Sequence, residues 1–113
     1  LVYEFEPAWK ADLCRDVRRV VDVPVLCEGG IRGRAEIDRL LGDACDAVGM
    51  ARPFYAEPRL PARLLADAEA RAVCESCNNC AVPQATGAPG VCRTPDVLGR
   101  AGELRAAGAY DRD

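Results

Sequence analysis

Apolar residues recur at helical spacing near the start of the chain. Trp9, Leu13, Val17 and Val20 fall on one face, with Arg15, Arg18 and Arg19 between them. The spacing predicts an amphipathic helix over about residues 7–21. VPVLCEGG follows, a short apolar run that ends in a glycine pair. It lacks polar alternation, which predicts a parallel strand covered on both faces. RGRAEIDRLLGD then carries Ile37, Leu40 and Leu41 on one face and stops at Gly42, a natural C-cap. A second apolar segment, ACDAVGMARP, closes on a small-residue turn. PRLPARLLADAEA, with Leu60, Leu64 and Leu65, reads as a last helix.

Helix, strand, helix, strand, helix is the order of parallel strands joined by right-handed crossovers. Two such strands leave both faces and both edges needing cover that residues 1–70 cannot supply. That part is therefore expected to be a piece of a larger α/β sheet or barrel. Beyond Ala70 the periodicity stops, and cysteine, proline, glycine and asparagine take over. Residues 71–95 read as a cysteine-rich segment, and residues 96–113 as a frayed helix or a tail.

Composition narrows the chemistry. The 113 residues carry a net charge of -3 with 29% charged positions of mixed sign, which argues against a nucleic-acid stripe. No apolar run of about eighteen residues exists, so no membrane span is expected. LVYEFEPAWK has neither the basic start nor the apolar run of a secretory leader. Histidine is absent, which excludes Ser-His-Asp and Cys-His nucleophiles and an all-histidine metal site. Seven cysteines, an odd number without a leader, read as reduced thiols or metal ligands in the cytoplasm.

Each strand ends in residues that let backbone N–H groups approach a ligand. Cys27-Glu28-Gly29-Gly30-Ile31 follows the first, and Gly49-Met50-Ala51-Arg52-Pro53 the second. In a (β/α)₈ barrel the loops after strands seven and eight commonly hold a phosphate. Converging N–H donors and one guanidinium suit that anion. Gly29, Gly30 and Ala51 leave room for it, and Arg52 offers the charge. A glycine pair after one strand can simply turn the chain. Two such loops in consecutive βα units point to phosphate.

VPVLCEGGIR, a helix, then DACDAVGMARPFYAEPRLPARL resembles the end of the barrel in the old yellow enzyme family, whose flavin oxidoreductases include 2,4-dienoyl-CoA reductase. Asp46, Ala47, Val48, Gly49, Arg52, Pro53 and Pro58 fall on the family pattern, and the resemblance covers about residues 5–95. It implies that the strands are the seventh and eighth of a (β/α)₈ TIM barrel. It also implies that the backbone at Gly29, Gly30 and Ala51, with the Arg52 side chain, holds the phosphate of FMN. Ala51 stands where glycine is commoner. The implied reaction is hydride transfer from NAD(P)H through FMN to an activated C=C, such as an enone or enoyl thioester. The family's catalytic groups sit on earlier strands, so no catalytic residue is assigned here.

Cys74, Cys77, Cys80 and Cys92 have two, two and eleven residues between them. Thiolates so spaced can converge on one metal ion or one iron–sulfur cluster. The dienoyl-CoA reductase branch has a [4Fe–4S] site of similar layout. That branch usually has three residues between its second and third cysteines, where here only Asn78 and Asn79 intervene. A cluster, a zinc ion and a metal-free loop all remain open. Cys14, Cys27 and Cys45 read as small buried apolar residues. Trp9 reads as packing, Glu28 as a solvated carboxylate, and Phe54 and Tyr55 as cover for the phosphate loop. The expected partners are NAD(P)H, a small unsaturated substrate and a second copy in a homo-oligomer, with no nucleic acid and no membrane. Two other functions stay in view: another phosphate-binding TIM-barrel enzyme, and a small cysteine-rich metal-binding or interaction module.

Overall fold

The computed structural model of the protein describes residues 6–111. The chain divides into two compact units between Met50 and Ala51. Composition changes later, near Ala70, so this division lies inside the stretch that reads as one barrel piece.

The first unit contains α1 (Ala11–Arg18), β1 (Leu26–Glu28), α2 (Arg34–Leu40) and β2 (Ala47–Gly49). The strands pair in parallel, as the element order predicts. Its core gathers Val25, Cys27, Ile31, Leu40, Ala44 and Cys45, with Ala8, Ala11, Cys14 and Ile37 packed against them. Strand β1 buries Cys27 while Leu26 stays 67% exposed, so only one of its faces is covered among the described residues. Helix α2 begins where the Glu36 carboxylate accepts the N–H groups of Arg32 (2.8 Å) and Gly33 (3.4 Å). It ends before Gly42, whose φ of 86° suits glycine.

Helix α1 is shorter than its periodicity predicts, and it is turned the other way. Its half-buried side is Ala11, Cys14, Arg15 and Arg18, whereas Leu13 is 62% exposed and Val20 beyond it 81%. Ion pairs account for the turn. Arg15 Nη2 reaches Asp43 Oδ2 at 2.7 Å, and Arg18 Nη2 reaches Asp46 Oδ1 at 2.9 Å. Arg18 Nη1 also donates to the Gly42 carbonyl at 2.6 Å. Asp46 Oδ2 accepts the Val25 N–H at 2.9 Å, and Val25 O in turn accepts the Asp46 N–H at 2.8 Å. The arginines between the apolar positions therefore hold the helix to the turn after α2.

The second unit contains α3 (Pro53–Ala56), α4 (Leu60–Ala66), a 3₁₀ turn (Val82–Thr86) and α5 (Pro95–Ala106). Proline stands in the first turn of each of these helices, where its missing N–H costs nothing. Helix α5 occupies the stretch that reads as a frayed helix or tail. It is held because Val97 and Ala101, one turn apart, are buried. No described helix is long and apolar enough to cross a membrane.

Candidate functional site

Register brings the ends of the two strands to one edge of the sheet. Leu26 lies opposite Ala47, Cys27 opposite Val48 and Glu28 opposite Gly49. The turn that starts at Gly29 and the segment that starts at Met50 therefore leave the strands side by side. Gly29 and Gly30 have φ of 112° and 70°, a region that side chains rarely adopt. A Cβ on Gly30 would lie 2.8 Å from the Glu6 carbonyl oxygen, and one on Gly29 would lie 3.0 Å from Trp9 Nε1. Gly30 O also accepts the Ala8 N–H at 3.1 Å. The chain thus needs both glycines before any ligand is considered. Glu28 is exposed and ion-paired with Lys10, whose ammonium lies 4.8 Å from the centre of the Trp9 ring.

Ala51 and Arg52 open the second unit. Ala51 is exposed, and Arg52 is half-buried at the N-cap of α3. Arg52 Nη1 donates to Asn78 Oδ1 at 2.5 Å. A guanidinium carries five N–H donors, so this bond leaves capacity for an anion.

Cys74, Cys77, Cys80 and Cys92 all line one cavity of about 20 Å³, together with Arg52, Asn78 and Thr94. Cys77 is exposed, Cys80 buried, and the other two half-buried. The Ser76 N–H donates to Cys74 Sγ at 3.4 Å. Cys77 Sγ lies 3.0 Å from Thr94 Oγ1, which also accepts from Asn79 Nδ2 at 3.0 Å. The Thr94 hydroxyl first, and the Asn79 N–H after it, hold the Cys77 thiol below its ordinary value. Ser76 and Asn78 take left-handed backbone, with φ of 58° and 67°. Both residues of the short spacer are thereby committed, Asn78 to Arg52 and Asn79 to Thr94.

A cavity of that size admits about one water molecule. Among the described residues no three Cys, Asp or Glu side chains group closely enough to hold a metal ion. The four thiols line one cavity without being gathered around a common centre. The other cysteines differ in kind. Cys27 and Cys45 are fully buried, and Cys14 packs beside them half-buried. Burial, then a hydrogen bond with Cys14, pushes the Cys27 thiol up to about 12.

Sequence reasoning missed Glu57. It is 1% exposed, and Oε1 accepts from Arg63 Nη2 and from Tyr110 OH, each at 2.6 Å. Oε2 accepts the Val73 N–H at 2.8 Å. Arg63 Nη2 also donates to the Arg71 carbonyl at 2.5 Å. One carboxylate thus ties α4, the segment after it and the chain beyond α5. Nothing in local periodicity marks Glu57, because its partners lie 6, 16 and 53 positions away.

No family model matches the chain, and no solved structure matches it. Over 102 residues it is 28% identical to 4,4′-dithiodibutanoate disulfide reductase of Rhodococcus erythropolis. That stretch is 90% of this chain and 25% of the relative, so the chain spans about a quarter of that protein's length. The chain is similar to a segment of an oxidoreductase.

Proposed function

We propose that the protein is an FMN-dependent NAD(P)H oxidoreductase, and that this chain supplies the loops that hold the cofactor phosphate. The parallel register of β1 and β2 carries the reading, since it ends two consecutive βα strands at one edge, where their loops begin. The Gly29–Gly30 turn lies at the end of β1, and Ala51 and Arg52 follow β2 by two and three residues. These residues fit a phosphate by chemistry: small side chains give backbone N–H access, and one guanidinium gives charge. Bound FMN would accept hydride from NAD(P)H and pass it to a small unsaturated substrate. In this reading the chain's own residues bind and orient the cofactor. An organic disulfide is the alternative substrate, favoured by the name of the relative.

Arg52→Ala in the full-length protein should weaken FMN retention by about 1.5–3 kcal/mol, the usual worth of a charge-assisted hydrogen bond. Exhaustive dialysis followed by flavin absorbance reads the effect. Equal retention would remove Arg52 from the phosphate site.

A further inference from the structure

We propose that the cysteine segment is a thiol–disulfide exchange centre for small organic disulfides. Cys77 attacks, and a second thiol of the same cavity resolves. Three observations meet here. Four thiols line one small cavity, so Cys77 shares its walls with three other thiols. Cys77 is the exposed member, open to a small disulfide from solvent. The Thr94 hydroxyl sits 3.0 Å from its sulfur, and that hydroxyl is itself anchored by Asn79.

The step balances without a further reactant. The Cys77 sulfur attacks one sulfur of R–S–S–R and forms a mixed disulfide, the small disulfide bond breaks, and the departing R–S⁻ takes up the proton that Cys77 gives up and leaves as R–SH. A second cavity thiol then attacks the Cys77 sulfur, closes a protein disulfide and releases the other half as R–SH. Two protein thiols are oxidised and one organic disulfide is reduced to two thiols. Cys-x-x-Cys spacing on both sides of Cys77 allows the closing bond. The proposal rests on the thiols alone and stands apart from the flavin reading.

Reduced protein, desalted without oxygen and given excess 2-hydroxyethyl disulfide with no NAD(P)H, tests it in one turnover. The expected result is release of two 2-mercaptoethanol per chain and loss of two hydrogens from the protein mass. Peptide mapping should place the new bond between Cys77 and one of Cys74, Cys80 or Cys92. Cys77→Ser should slow the release at least about tenfold, while Cys14→Ser should leave it unchanged. Release at the wild-type rate from Cys77→Ser would overturn the proposal. So would a mixed disulfide on Cys77 that never resolves, or thiols inert under stoichiometric iron or zinc. With no nicotinamide present, none of these outcomes depends on whether FMN binds.

Discussion

Glu57 holds a negative charge in the interior of the second unit, and its neighbours show how that is tolerated. Arg63 supplies the opposite charge, while Tyr110 and the Val73 N–H complete the acceptor set. Removing one partner of such a buried pair leaves the other unpaired, so Glu57→Ala should cost about 3–5 kcal/mol. Tyr110→Phe removes only a donor and should cost about 1–2 kcal/mol. Denaturant melts of the full-length protein rank the two variants, and equal losses would mean that the charge pair carries no special weight. Burial, then the hydrogen bond to Glu57, pushes the Tyr110 hydroxyl up to about 12 from 10.0. The folded state therefore keeps a proton that the unfolded chain sheds, and stability falls as pH rises between those values. Cys27 adds to the same fall from 9.0 upward. Tyr110→Phe should flatten the upper part of that slope, which pH-dependent melts would show.

At the scale of elements, the order of helices and strands and the parallel pairing were legible from apolar periodicity. The facing of α1 was not. Its apolar stripe points outward, because Asp43 and Asp46 draw Arg15 and Arg18 toward the turn after α2. Long-range ion pairs of this kind leave no periodic mark. The Val25 N–H, then Arg18, holds the Asp46 carboxyl below its ordinary value. Its contribution is therefore present above pH 3.8 and is lost as pH falls through the lowered value. Asp46→Ala should release both the helix and the start of β1, so the Val25 amide should exchange with solvent faster. Unchanged exchange would mean that α1 is held by packing of Ala11 and Cys14 alone. The candidate sites were partly legible. Cysteine spacing marked the segment whose four thiols line one cavity, but Thr94 beside Cys77 and the bond from Arg52 to Asn78 depend on the folded loop. The two glycines were legible as a turn, whereas the contact of Gly30 with Glu6 and Ala8 was not.

For the whole molecule, exposed apolar surface is the feature that most needs an account. Leu13, Val20, Val23 and Leu26 in the first unit and Leu65 and Val82 in the second are each more than half exposed. In a barrel of the kind the sequence resemblance implies, neighbouring βα units would cover the outer faces of α1 and β1, as two strands alone cannot. The central claim is that these loops serve a flavin that takes hydride from a nicotinamide. Its most direct test is an anaerobic titration of the purified full-length protein with NADH and then NADPH, followed through visible flavin absorbance. The account predicts FMN bound at about one per chain, bleached by one of the two nicotinamides and restored by an enone or an organic disulfide. Protein that carries no FMN, or FMN that neither nicotinamide reduces, would contradict it.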